Sequence, residues 1–120
     1  MAASILLPGP IPLATVATAL APSGSSYAFG ITASGGAQPV TVEVSNSGGS
    51  ATLVYQVDRS NGVVSVSPID ITTNAGLSTL TNGLTAGTPV AVSGVPQPDG
   101  TLKAYVITYF TGTVPASAVN

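Results

Sequence analysis

The side chains that could do acid, base or metal chemistry are few in this sequence of 120 residues. The residues with a formal charge at neutral pH are Glu43, Asp58, Arg59, Asp70, Asp99 and Lys103. The chain has no His and no Cys, so the groups most used for proton transfer near neutrality, metal ligation and thiol chemistry are missing. The composition therefore argues against an enzyme.

The acidic residues give two candidate sites, and each has a simpler structural interpretation. Residues 58–62 place oxygen ligands in a short loop, but they lack the alternating acidic pattern of an EF-hand loop. Asp99 stands before Gly100 where a hairpin needs turn residues, and a catalytic acid would need a second group to shift its pKa. Lys103 is the sole Lys that could activate a Ser nucleophile, and no Ser-x-x-Lys pattern accompanies it. We expect turns at both sites, and no catalytic residue, metal ligand or cofactor.

The charge balance also limits the partners of the chain. With a formal net charge of -2 and two basic residues, the chain offers no basic surface to the phosphates of a nucleic acid. A surface so poor in charge has little self-repulsion to keep copies apart. We therefore expect close packing against other protein subunits.

Alternation of apolar and polar residues predicts an all-β domain. Valines alternate with polar residues over 40–44, which places a valine row on the core face of a strand. The same alternation predicts that Leu53, Tyr55 and Val57 face the core from the next strand. Strands are expected at 27–32, 40–44, 52–58, 63–67, 88–93 and 101–111, with an antiparallel meander of three strands over 40–67. Residues 72–88 are expected to be mostly loop, and residues 13–20 to form a turn or two of helix at most.

The strongest hairpin signal lies near the C-terminus. Residues 88–93 and 101–111 flank a turn that contains Pro98, Asp99 and Gly100. We expect the second of these strands to be central, because strict alternation makes both of its faces apolar. One face would carry Leu102, Ala104, Val106, Thr108 and Phe110, and the other Tyr105, Ile107 and Tyr109.

Residues 1–26 are expected to form an extended N-terminal arm and linker, followed by a β domain at 27–114 and a C-terminal tail at 115–120. Pro8, Pro10 and Pro12 fix φ and remove backbone donors, which favours an extended path. No basic residue precedes the apolar run and the three prolines interrupt it, so the segment fits neither a signal peptide nor a membrane span. Deletion of residues 1–22 is then expected to leave a folded core. An edge strand of the domain's own sheet and a disordered leader are the alternatives.

Two stretches resemble known families. Residues 87–94 and 97–104 resemble a hairpin of small secreted bacterial β-barrel domains of unassigned function, with a valine-rich strand and an Asp-Gly-Thr-Leu turn. The run 99–112, on a small charge-poor chain that begins with an extended arm, resembles tailed-phage head decoration or cement proteins. The second resemblance implies a role in stabilising a bacteriophage capsid, and neither carries functional residues over.

The expected protein is a single small antiparallel β-sandwich or barrel with a structural function. It would decorate a capsid and stabilise the shell by contacts with the major capsid protein or with copies of itself, a trimer being favoured. Absence of an export signal and of disulfides suits a virion surface protein that assembles in the host cytoplasm. The expected interface anchors are Ile5, Leu6, Leu7, Ile11 and Leu13. A subunit of an extracellular surface filament assembled by donor-strand exchange, and a carbohydrate- or protein-binding β-module, stay open as alternatives.

Overall fold

The computed structural model describes residues 11–33, 39–58 and 63–111, with the backbone alone at residues 11–13 and 33. These residues confirm the expected all-β class, with one helix added. The elements are β1 (Ile11–Ser23), β2 (Ser26–Ala33), β3 (Val40–Val44), a 3-10 turn (Gly48–Ser50), β4 (Leu53–Asp58), β5 (Ser65–Ile69), α1 (Asn74–Gly83), β6 (Pro89–Pro96) and β7 (Leu102–Thr111).

All seven strands belong to one sheet, in the order β3-β2-β1-β6-β7-β4-β5. The sheet closes because β3 also pairs with β7, so β1, β2, β3, β7 and β6 form a ring. Both β3 and β4 run parallel to β7. The barrel is therefore mixed, whereas an antiparallel one was expected. Small barrels are filled by side chains, and the architecture alone does not specify a function.

The strands β3 and β4 share one edge of β7 and do not pair with each other, which corrects the expected meander over 40–67. Val42 lies beside Leu102, and Leu53 lies beside Val106. Residues 45–52 leave the sheet between these points as a loop that carries the 3-10 turn. The pair β4 and β5 is antiparallel, as expected.

Thr52 closes the base of this loop. Its buried hydroxyl donates to the carbonyl oxygen of Ala104 (3.0 Å) and accepts from the N–H of Ser45 (3.1 Å). The N–H of Thr52 in turn donates to the carbonyl oxygen of Ser45 (2.8 Å). These bonds hold the end of β3 and the start of β4 against β7.

Replacing Thr52 by Val keeps the shape of the side chain and removes its hydroxyl. We expect T52V to lower the free energy of unfolding by about 1–3 kcal/mol, because the Ser45 N–H and the Ala104 carbonyl lose this partner. Urea unfolding measures the difference. Thr41→Val, at an exposed position of β3, is the matched control, with an expected change within about 0.5 kcal/mol. Equal effects of the two substitutions would contradict a stabilising role for the Thr52 bonds.

The core fills the ring, and α1 packs against it. The valine row of β3 is buried, as expected, and alternates with the exposed Thr41 and the half-buried Glu43. Leu80 of α1 and Leu84 behind it are also fully buried. The other buried apolar residues of this core are Ala14, Val16, Leu20, Phe29, Ile31, Val54, Ile71, Val90, Val92, Leu102, Ala104, Ile107 and Tyr109.

The helix α1 lies where a loop was expected. Thr73 is its N-cap, and the Thr73 hydroxyl accepts from the N–H of Gly76 (3.0 Å). Leu77, Leu80 and Leu84 then follow at helical spacing and face the core. The remaining positions are mostly Ser, Thr, Asn and Gly, whose weak helix propensity concealed the element.

The segment that forms β1 belongs to the sheet and is not an arm. It pairs with β2 on one side and with β6 on the other, and its Ala14, Val16 and Leu20 are buried. A tight turn at Gly24, where φ is 61°, leads into β2. The expected boundary at residue 26 and the expected helical turn over 13–20 are therefore wrong, and β1 is an internal strand. Residues 1–10 and 112–120, which include the expected tail, lie outside the described residues.

A β-bulge changes which residues of the central strand β7 face the core. Ser93 lies opposite Val106 while Gly94 lies opposite Ala104, so Tyr105 is the extra residue. Strict alternation was therefore the wrong expectation, because the bulge shifts the pattern by one position. The buried residues of β7 are Leu102, Ala104, Ile107 and Tyr109.

Candidate assembly surface

The five expected interface anchors fall largely beyond the part of the chain that the structure describes. Ile5, Leu6 and Leu7 lie outside the described residues. Ile11 and Leu13 belong to the backbone of β1, and their side chains are not described. The anchor hypothesis therefore stays a prediction.

Strand register places a second apolar surface on the side of the sheet that faces away from the core. We call it the outer face. It carries Leu53, Tyr55 and Val57 from β4, Val66 and Pro68 from β5, and Val106, Thr108 and Phe110 from β7. Leu53 was expected in the core, but it is 55% exposed, and its neighbour Val54 is buried in the core instead. Val57 is buried on the outer face, between Val66 and Phe110 in register.

The border of this outer face at β5 exposes large apolar side chains to solvent. Val63 is 66% exposed, Val64 56% and Val66 59%, and we call these three residues the edge patch. The sequence carries no charged residue over 63–69. Grouped apolar exposure of this kind marks an interaction site more often than a plain surface. The sequence predicted a strand at 63–67, but it did not indicate that β5 would lie at the border of the described sheet, with β4 as its described neighbour.

The aromatic residues do not form a flat binding platform in the described region. Tyr105, at the bulge, is 58% exposed, whereas Tyr55 and Phe110 are partly buried. Tyr109 is fully buried and its hydroxyl accepts from the Nε2 of Gln56 (3.3 Å). Burial raises the pKa of Tyr109, and the hydrogen bond from Gln56 opposes this shift. Stacking by several exposed rings therefore has no support among these residues.

A groove of about 430 Å³ separates α1 from the β1–β2 hairpin. It is lined by Leu20, Pro22, Tyr27, Asn74, Leu77, Ser78, Thr81 and Asn82. None of these side chains is charged. Hydroxyl and amide groups beside one tyrosine ring suit a neutral polar ligand, such as a sugar, better than an ionic one.

A smaller pocket of about 190 Å³ brings together Lys103, Glu43 and several serines. Lys103 and Glu43 are register partners of β7 and β3, and Ser25, Ser26 and Ser45 are among the lining residues. Within the described ranges, no hydrogen bond joins the Lys103 amine to a serine hydroxyl.

The carboxylates of Asp70 and Asp99 organise turns. Asp99 accepts from the N–H (3.0 Å) and the hydroxyl (2.7 Å) of Thr101, and Asp70 accepts in the same way from Thr72. The Thr hydroxyls, and then the backbone N–H groups, lower the pKa of both carboxyls. Asp99 thus lies in a hairpin turn, as expected. Asp58 ends β4, whereas the other residues of the expected turn, 59–62, lie outside the described ranges.

The described residues contain no group of three or more His, Cys, Asp or Glu side chains arranged to hold a metal ion. None of their helices has the length and hydropathy that crossing a membrane requires.

Comparison with known proteins gives no match to this chain. No protein-family model matches the sequence, and no curated protein or solved structure matches it either. The two resemblances described above therefore rest on their residues alone.

Proposed function

We propose that this chain is a non-enzymatic structural protein that assembles through the apolar border of its sheet. The observation that carries the proposal is the edge patch, three valines that are each more than half exposed beside an edge strand without charge. An edge strand presents unpaired N–H and C=O groups, and proteins usually protect it with charged side chains or a covering element. An apolar edge without such protection is expected of a surface that becomes buried in an assembly.

Within this class, we favour a capsid decoration or cement protein on the surface of a bacteriophage virion. The formal net charge of -2 and the charged fraction of 5% support it, because copies with so little charge can pack closely on a shell. The partners would be other copies, as a trimer, and the major capsid protein beneath them. A subunit of a surface filament would use the same border, with contacts that repeat without closing into a ring.

Charge placed in the edge patch should weaken assembly. We expect Val66→Lys to raise the concentration needed for half-maximal association by about tenfold or more, because a desolvated ammonium group would oppose burial of the patch. Light scattering coupled to size-exclusion chromatography, over a roughly hundredfold range of concentration, measures the effect. Thr79→Lys, on the exposed side of α1, is the matched control and should leave association unchanged.

The same measurement can contradict the proposal. Equal association of the two lysine variants would show that the edge patch is not part of the interface. A wild-type chain that stays monomeric at every concentration would contradict self-assembly. That result would favour the second candidate, a carbohydrate-binding module, for which the uncharged groove with Tyr27 is the supporting observation.

A further inference from the structure

We infer that β5 accepts a strand from a second copy of the chain, and that residues 4–7 of that copy supply it. The inference rests on the proposed assembly function and names the two surfaces that would meet. Its first support is topological. In the described part of the sheet, every strand except β5 has neighbours on both sides, since closure through β3 and β7 removes the other edges. Among the described strands, none pairs with the outer side of β5, so this edge can accept a further strand.

The chemistry of residues 4–7 matches that of the open strand. The segment reads Ser-Ile-Leu-Leu and carries no charge, like residues 63–69. In an added strand, alternate side chains lie on opposite faces of the sheet. Ile5 and Leu7 would then share one face while Leu6 lies on the other. In the register that puts Ile5 and Leu7 on the outer face, they extend the apolar surface around Val66 by one more strand.

Pro68 limits how far such a strand can pair. Proline has no N–H, and within sheets it occupies edge strands where that position faces solvent. It lies near the end of β5, opposite Tyr55. The usable stretch of the edge is thus the part before Pro68, which is about as long as the segment 4–7.

The N-terminal segment of the same molecule is short for the distance to this position. Ile11, Val92, Ile107, Val54 and Ile69 are register partners across five neighbouring strands. At about 4.8 Å between strands, the path along the curved sheet from Ile11 to a strand added beyond β5 is at most roughly 24 Å. Residues 8–10 span about 10 Å when extended, so a second copy reaches this position more readily than the same molecule does. We therefore assign the added strand to another copy.

Donation of a strand from one copy to the next is a head-to-tail contact. Such contacts close into a ring when the rotation between copies permits it, and otherwise grow into a fibre. The inference is therefore compatible with both the decoration protein and the filament subunit. It differs from a symmetric contact between two β5 strands, in which the N-terminal segment would take no part.

Engineered cysteines test the inference on the full-length chain, which has no Cys of its own. A Leu6→Cys chain is mixed with a chain that carries Ser65→Cys, Val66→Cys or Ser67→Cys, under mild oxidation at an assembling concentration. These acceptor positions cover both faces of β5. We expect at least one mixture to form the mixed disulfide about tenfold faster than a mixture of Leu6→Cys with Thr79→Cys on α1.

Other outcomes overturn the inference without ambiguity. Equal cross-linking to β5 and to the Thr79 control would exclude a specific donor strand. So would a chain with both Leu6→Cys and Val66→Cys that forms its disulfide within the monomer, because residues 4–7 would then contact their own β5. If Val66→Lys still weakens assembly in these cases, the proposed function stands and the donor strand alone is rejected.

Discussion

A chain that starts at Ser23 is expected to lose its cooperative fold, although the sequence alone suggested that residues 1–22 could be removed. The deletion takes away β1, which is hydrogen-bonded to both β2 and β6. It opens the ring and removes the buried Val16 and Leu20, whose burial contributes about 1.5–3 kcal/mol each. Small domains unfold with a free energy of about 5–15 kcal/mol in total. The stabilising free energy lost with an internal strand is therefore large enough to unfold the remaining residues.

The control for this deletion is a chain that starts at Ile11 and keeps every strand of the ring. We expect this chain and the full chain each to unfold in one urea transition, and the Ser23 chain to show no transition in circular dichroism. If the Ser23 chain unfolded at the same urea concentration as the full chain, the result would contradict the role of β1 as an internal strand of the fold. The comparison also separates the two parts of the N-terminus, because residues 11–22 would serve the fold and residues 1–10 the assembly.

Alternation along the chain was sufficient to locate most strands, since a residue's face in a strand depends on its immediate neighbours. The range 40–44 was predicted as observed, and the β6–β7 hairpin was recognised from its turn residues. The two elements that were missed have weak local signals. In β1, small Ala residues occupy buried and exposed positions alike, and α1 is built mainly from poor helix formers.

The topology and the candidate site depend on contacts that are distant in the sequence. Whether β3 pairs with β4 or with β7 is decided by closure of the ring, for which residues 40–58 carry no local signal. The edge patch follows from that closure, because β5 is left with one neighbour among the described strands. A valine run such as 63–66 is equally compatible with a buried strand and with an exposed edge, so the sequence could not distinguish the two.

Gly94→Ala is expected to destabilise the fold by about 3 kcal/mol, a large effect for the addition of one methyl group. Gly94 lies at the bulge between β6 and β7, where a Cβ atom would collide with the carbonyl oxygen of Lys103. That oxygen belongs to the backbone of a central strand and cannot rotate away as a side chain can. Gly49→Ala is the control, because a Cβ there meets open space, and we expect a change within about 0.5 kcal/mol in urea unfolding.

The same substitution links the fold to the proposed surface. The bulge shifts the alternation of β7, so Val106 rather than Tyr105 lies beside Leu53 on the outer face. Strain from Gly94→Ala should therefore change the NMR chemical shifts of Tyr105 and Leu53 more than those of the distant Val66. Equal stability of the Gly94→Ala and Gly49→Ala chains would mean that the two strands separate at little cost. In that case the bulge could not fix the register on which the outer face depends.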